Sequence, residues 1–222
     1  MKKIIITAGF SLLALYSQVS TSAVVCDLCS LSKSGSSPTA LIFAAGDNIV
    51  KAKLDPSAGA DSRFFSFNVA DGYTLDSILL EAFSYAQIAS NPIATGVAFF
   101  GLKQGSGITP SNTNPAAVDG YALLGAPIGT DPINGVIPTN VGEDVLPSLV
   151  ATGGFTGTQL PNALIAGTYT VWLRESRTID EFSLNFKVSQ VPLPATAWLM
   201  GSVLLGFAAR GRKAGNFFRN VI

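Results

Sequence analysis

Apolar and polar residues alternate with a period of two along much of the middle of the chain. Residues 181–188 read EFSLNFKV, so four apolar side chains fall on one face and the polar ones on the other. The pattern repeats in residues 168–174, after a turn at Gly167. This alternation predicts half-buried β-strands. Further strands are predicted where aromatic and β-branched residues concentrate, in residues 39–45, 48–54, 63–69 and 96–102.

One segment, residues 74–86, fits two patterns. Read alone it predicts a helix, because its apolar residues recur at helical spacing: Leu75, Ile78, Leu79, Ala82, Phe83 and Ala86. Its position among predicted strands favours a strand instead. We therefore predict a strand here, with the helix from Leu75 to Ala86 as the alternative.

The first 23 residues have the pattern of a secretory signal peptide. Two lysines precede an apolar core at residues 4–16, and small residues follow up to Ala23. Because this core is shorter than the roughly 20 residues that a membrane span needs, we predict cleavage rather than anchoring. The mature chain then starts near Val24.

A second apolar segment, residues 193–209, has no charge over its whole length. It is close to the shortest helix that can span a membrane, and we predict a single C-terminal transmembrane helix. Basic residues beside a span mark its cytoplasmic side, which places residues 214–222 inside as a cytoplasmic tail and the preceding domain outside. The basic residues are Arg210, Arg212 and Lys213. A lasting membrane anchor is the alternative interpretation.

The residues around this helix resemble a known signal. Val191, Pro192, Leu193 and Pro194, followed by the glycine-punctuated helix and the basic cluster, resemble the PEP-CTERM sorting signal over residues 191–213. In that family a membrane protease-transpeptidase, an exosortase, acts at the proline motif, after which the span is removed. Here Leu193 replaces the family's glutamate, as in a familiar Val-Pro-Leu-Pro variant, and the tail extends beyond the usual basic end.

A second resemblance covers the chain from Arg63 to Gln190. Its order of strands is similar to the small β-sandwich or jelly-roll domains related to bacterial pre-peptidase C-terminal domains, chiefly in the closing strand pair introduced by Ala-Gly-Thr-Tyr. This resemblance implies an all-β ectodomain, an antiparallel β-sandwich or jelly roll. We expect it to occupy residues 40–190, after a mature N-terminal segment at residues 24–39.

The neutral total charge conceals an acidic domain. Residues 24–192 contain 8 of the 14 basic residues and all 14 acidic residues, a net charge of −6. Nucleic acids are bound through basic patches. Nucleic-acid binding is therefore not expected.

Cys26 and Cys29 are the only cysteines. Disulfides persist outside the cytoplasm, so we predict a local bridge between them. A redox dithiol is the alternative, but such a site needs its Cys-x-x-Cys at a helix N-terminus in a βαβ setting. Zinc would need two further ligands, and the chain has no histidine.

The absence of histidine also excludes Ser-His-Asp and Cys-His pairs and His-ligated metals. The adjacent carboxylates Glu143–Asp144 and Asp180–Glu181 suit solvated turns or strand ends better than an acid/base couple. We predict no catalytic residue, no cofactor and no enzyme.

Oxygen-rich turns can also bind Ca²⁺. Asp55, Asp61 and Asp71 lie in turn-rich stretches, but without the spacing of a calcium loop, and no metal site is predicted. Residues 105–142 are crowded with glycine, proline, asparagine and threonine, which are turn and loop formers. They are either a variable surface insertion or a ligand surface.

We therefore expect an exported, non-enzymatic protein of the cell surface or extracellular matrix, as the first resemblance implies for exopolysaccharide-producing Gram-negative bacteria. Its expected partners are the Sec export machinery, an exosortase and, transiently, the inner membrane, with exopolysaccharide as a candidate. The alternatives are a carbohydrate- or protein-binding adhesin that uses residues 105–142, and a periplasmic thiol-redox protein that uses Cys26 and Cys29.

Overall fold

The computed structural model of the chain is built from β-strands. It describes residues 22–90, 96–109, 117–125, 138–151, 163–192, 200 and 202–203. Between residues 22 and 192 the described residues include short 3-10 turns but no α-helix. The strands are β1 (Ala23–Asp27), β2 (Thr39–Leu41), β3 (Gly46–Leu54), β4 (Asp61–Val69), β5 (Tyr73–Gln87), β6 (Ala98–Gln104), β7 (Gly120–Leu124), β8 (Val150–Ala151), β9 (Gly167–Glu175) and β10 (Thr178–Gln190).

The strands form two sheets, which confirms the predicted all-β fold. One sheet has the order β1-β3-β10-β5, and the other has the order β2-β4-β9-β6-β7-β8. The prediction of purely antiparallel sheets is wrong in two places, because β1 pairs with β3 and β2 with β4 in parallel. The reason is that each of the first five strands reverses direction and also changes sheet. Alternate strands therefore run the same way within one sheet.

The ambiguous segment is strand β5, as predicted. Its register with β10 shifts twice, once between Leu75 and Ser77 and once between Leu80 and Ala82. Each shift leaves one residue unpaired, as in a β-bulge. Because the first extra residue lies between Leu75 and Ile78, these buried side chains are three positions apart instead of two. The bulges thus give a strand the apolar spacing of a helix.

The main core lies between the two sheets and is aromatic. Phe186 of β10 is fully buried. Its ring centroid lies 5.8 Å from that of Phe65 and 5.4 Å from that of Phe67, both on β4. Phe43, in the crossover from β2 to β3, stacks on Phe67 at 4.7 Å. These contacts join a central strand of each sheet to the crossover between them.

A second, smaller cluster covers the outer face of the six-stranded sheet. Phe64 stacks on Trp172 of the neighbouring strand with a centroid distance of 5.9 Å. Ile108 and Val118 of the β6–β7 connection cover this pair and are themselves buried. The connection is therefore held on the sheet at these two points.

We predict that Phe186→Ala destabilises the domain by about 3–5 kcal/mol, because it leaves a cavity in the aromatic core. The matched control is Lys187→Ala, the next residue on the same strand, whose side chain is exposed. It should change the free energy of unfolding by less than about 0.5 kcal/mol. Urea unfolding of residues 24–192, followed by circular dichroism, measures both. Equal effects of the two substitutions would contradict this core.

Candidate functional site: the C-terminal sorting junction

Strand β10 carries the chain directly to the predicted sorting motif. Its 13 residues lie between β3 and β5, and its pairing with β5 continues to the last residue, where Gln190 is opposite Tyr73. Val191, the first residue of the motif, follows at once. The structure therefore places no flexible connector between the folded domain and the motif.

Val191 is itself hydrogen-bonded to the domain. Its backbone N–H donates to the carbonyl oxygen of Gly72 at 2.8 Å. Gly72 lies in the turn between β4 and β5, which is closed by a hydrogen bond from the Tyr73 N–H to the Ala70 carbonyl oxygen at 3.1 Å. The φ of Gly72 is 80°, a conformation that glycine adopts without steric cost. This turn thus fixes the last residue before the prolines.

Pro192 ends the pairing because it has no backbone N–H to donate. Both Val191 and Pro192 are exposed, and proline restricts its predecessor to extended conformations. The junction therefore presents an extended, accessible peptide at the end of the sheet. Such a peptide has the form that a protease requires of its substrate.

The other predicted parts of the sorting signal lie outside the described residues. These are Leu193 and Pro194 of the motif and the basic residues Arg210, Arg212 and Lys213. Of the predicted helix at residues 193–209, residues 200, 202 and 203 are described, and they have helical backbone. Nowhere in the described part of the chain is there a helix with the length and apolarity to cross a membrane. Residues 1–21 of the predicted signal peptide also lie outside the described residues.

Comparison with known proteins bears on this junction. Residues 190–213 match the family model of the PEP-CTERM protein-sorting motif. The resemblance seen in the sequence is confirmed for this segment. A PEP-CTERM signal implies export, membrane anchoring of a cell-surface protein and an exosortase as processing partner. No curated protein and no solved structure matches the chain, so the similarity of the ectodomain to pre-peptidase C-terminal domains is not confirmed.

The two cysteines form a disulfide at the end of β1. The Cα atoms of Cys26 and Cys29 are 5.4 Å apart. Cys26 is buried and Cys29 is exposed, with Leu28 between them at a φ of 51°. No helix begins in residues 28–55, so the pair lacks the helix N-terminus that lowers a thiol pKa in redox motifs. The bridge closes a tight turn against β3, where the Leu28 N–H donates to the Lys51 carbonyl oxygen.

A cavity of about 320 Å³ lies beside this turn. Its charged side chains already have partners in the protein. Lys53 Nζ lies 2.7 Å from Glu181 Oε1, and the Arg63 guanidinium lies 2.9 Å from Asp61. Asp55 accepts a hydrogen bond from the Ser57 N–H at the start of a 3-10 turn. These groups serve the fold, and none converges on the cavity as a catalytic pair.

The structure separates the adjacent acids Asp180 and Glu181. Glu181 is on the outer face with Lys53, whereas Asp180 is completely buried. The pKa of Asp180 is raised to about 7, chiefly by burial. The Thr178 hydroxyl, which donates to Asp180 at 2.6 Å, opposes the shift, and Glu175, on the other side of the two-residue turn between β9 and β10, adds to it. Sequence reasoning missed the Glu175–Asp180 pair. No local sequence signal could have found it, because the chain passes from one sheet to the other between β9 and β10, and these two strands are not paired with each other.

The other predicted carboxylates also have structural partners. Asp144 accepts hydrogen bonds from the N–H groups of Ile78 and Leu146 and so holds the 141–149 connection on the edge of β5. Glu143 accepts from the Asn140 N–H, which lowers the pKa of this carboxyl. These bonds account for the Glu143–Asp144 pair without a catalytic role.

The three aspartates weighed for calcium do not meet. Asp55 and Asp61 are neighbours, since the Asp55 N–H donates to an Asp61 carboxylate oxygen at 3.0 Å. Asp71 lies beyond the other end of β4. Among the described residues no group of three or more metal-ligating side chains occurs.

The candidate ligand surface at residues 105–142 is described only in part. Residues 110–116 and 126–137 lie outside the described residues. The described residues nearest the first gap include Ile108 and Val118, which are buried on the outer face of the six-stranded sheet. These side chains support the fold and are not available to a ligand.

We predict that Asp180→Asn stabilises the protein at pH 8 and has little effect at pH 4. The native-state pKa of Asp180, about 7, lies above its usual value, so the native state keeps a proton that the unfolded state loses. Its contribution to stability is therefore full below about pH 4 and is lost as the pH rises to about 7. The variant should melt several degrees higher at pH 8, because each kcal/mol gained raises the melting temperature of a domain of this size by about 2–4 °C. Glu181→Gln, the exposed neighbour, is the control and should not show this pH dependence. An Asp180→Asn variant that melts lower at pH 8 would refute the account.

We also predict that the double substitution Cys26→Ser and Cys29→Ser destabilises the exported protein only slightly. A loop of ~15 residues contributes about 3 kcal/mol in the entropic model, and this loop is far shorter and lies at the edge strand β1. A melting curve of the variant beside the oxidised parent tests this. Loss of the folded state in the variant would contradict it.

Proposed function

We propose that this chain is an exported, non-enzymatic component of the cell surface or extracellular matrix. A C-terminal segment holds it at the membrane until an exosortase cuts near Val191–Pro194. The observation that carries the proposal is the matched sorting motif directly at the end of strand β10. The proposed route uses the Sec machinery for export and the inner membrane as a temporary anchor.

The junction suits a cut that leaves the domain intact. A typical hydrogen bond contributes a net 0.5–1.5 kcal/mol or so to stability, so detaching the Val191 N–H from Gly72 costs little. Strand β10 meanwhile stays paired with β3 up to Val188 and with β5 up to Gln190. An exosortase can therefore draw the proline motif into its active site without unfolding the sandwich.

The proposal of a non-enzymatic role rests on two observations. The chain has no histidine, which excludes the commonest general base. The carboxylates considered as acid/base candidates are engaged in capping, ion pairing or burial, as described above. A structural role in the matrix, with exopolysaccharide as the proposed partner, is the simplest function that remains.

A glycan array separates this role from that of an adhesin. The exported domain, cut at its motif, should give no selective binding to short glycans if its role is structural. Selective binding that is lost on deletion of residues 126–137 would instead favour an adhesin acting through that loop. Catalytic reduction of a test disulfide, dependent on Cys26 and Cys29, would favour the thiol-redox alternative.

We predict that Pro192→Ala combined with Pro194→Ala leaves an uncut, membrane-bound precursor in a host that contains an exosortase. Proline restricts its predecessor to extended conformations and cannot donate to a strand, and the double substitution removes both constraints. Mass spectrometry of the C-terminus measures whether the chain is cut. The matched control is Pro147→Ala, at an exposed proline that is distant from the motif in sequence.

A second variant tests the other half of the signal. Replacing Arg210, Arg212 and Lys213 by Ser should impair retention and sorting, because these charges set the orientation of the span, while the sandwich stays folded. If the unmodified protein persists with its tail in that host, the segment is an ordinary anchor and the sorting proposal is wrong.

A further inference from the structure

Four segments meet at the end of the sandwich from which the chain leaves. We call this the exit end. It comprises residues 42–45 between β2 and β3, the turn at residues 70–73, residues 164–166 before β9, and the junction at residues 191–192. The rest of the sandwich separates it from the opposite, distal end, which comprises the end of β3, the start of β4 and the turn between β9 and β10.

Hydrogen bonds fix these segments relative to one another. The buried Asn48 side chain bonds both the N–H and the carbonyl oxygen of Ala44 and also the Phe186 carbonyl oxygen. Leu164 and Leu75 exchange backbone hydrogen bonds at 2.9 Å. The hydroxyl of Tyr169 donates to the Ile165 carbonyl oxygen, also at 2.9 Å. These hydrogen bonds hold the segments of the exit end in a defined conformation.

Large apolar side chains are exposed at this end. Ile42 is 89% exposed, Ile165 is 65% exposed and Val191 is 43% exposed. The exposed residues between them include Ala44, Ala45 and Ala70. Single exposed apolar residues are normal on protein surfaces, but three that lie around one chain exit mark a contact surface.

Charged side chains are few at the exit end and numerous at the distal end. At the exit end the exposed charge is Asp71, and the nearest charged residues along its sides are Asp47, Asp76, Lys103, Asp119 and Lys187. At the distal end, exposed or half-buried charged side chains of both signs are more numerous: Lys53, Asp55, Arg63, Arg174, Arg177 and Glu181. Within the described part of the chain, the sandwich is therefore polarised along its strands.

The tether between this end and the predicted span is very short. Only Pro192 separates Val191, which is bonded to the domain, from Leu193, where the predicted helix begins. Two residue steps reach about 7 Å at most, and the headgroup layer on each side of a bilayer is roughly 5–8 Å thick. The exit end of an anchored precursor must then lie within the headgroup layer.

The N-terminus of the domain also lies on the side of the exit end. Strand β1 runs parallel to β3, and Ala23 is paired with Asn48 near the beginning of β3. The chain before Ala23 therefore enters from the side of the exit end. Both segments that the sequence directs to the membrane join the domain on this side.

We propose that the exit end is a lipid-contact surface. Ile42 and Ile165 insert into the headgroup region of the membrane that holds the precursor, so the sandwich stands upright with its charged distal end outward and its proline motif at the interface. The partner is the lipid surface itself. The inference rests on the proposed function, in that it requires the anchored precursor.

The test uses the full-length precursor in vesicles of phosphatidylethanolamine and phosphatidylglycerol that contain no exosortase. Single variants Ile42→Cys and Ile165→Cys, with Arg177→Cys at the distal end as control, carry an environment-sensitive fluorophore. We expect the two exit-end labels to be blue-shifted and quenched severalfold more strongly by spin-labelled lipid than the control. We expect aqueous iodide to quench chiefly the label at position 177.

Substitution of the exposed isoleucines by aspartate tests whether lipid contact at the exit end affects cleavage. Ile42→Asp combined with Ile165→Asp should leave the protein anchored but abolish the lipid quenching of a label introduced by Ala70→Cys, and should slow exosortase cleavage severalfold. Val141→Asp is the matched control, since Val141 is 50% exposed but lies beside the middle of β5. It should change neither measurement.

Flotation of the vesicles distinguishes failure of the proposed function from failure of the lipid-contact proposal alone. If the unmodified precursor does not float with the vesicles, the proposed anchored state is wrong. If it floats but iodide quenches the labels at positions 42 and 165 as strongly as the label at 177, the lipid-contact surface alone is wrong. A spectral shift that requires exosortase in the vesicles would overturn the lipid proposal in favour of contact with the enzyme.

Discussion

The pairing of strand β10 with both of its neighbours is the interaction on which the rest of the structure depends. β10 lies between β3 and β5 over nearly its whole length, and its Phe186 joins the aromatic core of β4. The same strand ends at the sorting junction. The stability of the domain and the position of the processing site are therefore set by one element, and a change in the register of β10 would move the motif as well as the core.

This arrangement gives the C-terminal signal a defined geometry. In a protein with a flexible linker, the motif and the domain would be independent, and the surface of the domain would be free of any constraint from the membrane. Here β10 is paired with β5 up to Gln190 and the motif follows at once, so the motif cannot move far from the end of the sandwich. The composition of the exit end, apolar where the distal end is charged, is what a surface held at a bilayer requires.

The sequence predicted most of the strands, because alternation of period two records directly which face is buried. It predicted less where the backbone departs from that period. The bulges of β5 gave Leu75 and Ile78 a helical spacing, and only the neighbouring strands favoured the correct assignment. The parallel pairing of β1 with β3 depends on the chain changing sheets, a choice that single-strand patterns do not encode.

For the candidate site, the residues were predictable and their setting was not. Val191 and Pro192 could be named from the motif, but the turn that holds Val191 belongs to residues far away in sequence. The proximity of Glu175 and Asp180, and the positions of Ile42 and Ile165 at one end of the sandwich, likewise follow from the way the two sheets pack. This packing depends on residues that are far apart in sequence, and no local pattern reports it.

The place of β10 in its sheet also determines when the protein can fold. The Asn48 side chain bonds a carbonyl 138 residues later in the chain, and β3 and β5 have no partner on their facing edges until the last strand has emerged. A chain that crosses a membrane from its N-terminus must therefore wait, with these edges open, until its C-terminal signal reaches the translocation channel. Contacts so distant in sequence form slowly, and unpaired edges invite aggregation while they wait. In the proposed route, folding is thus completed only when the C-terminal segment has reached the membrane.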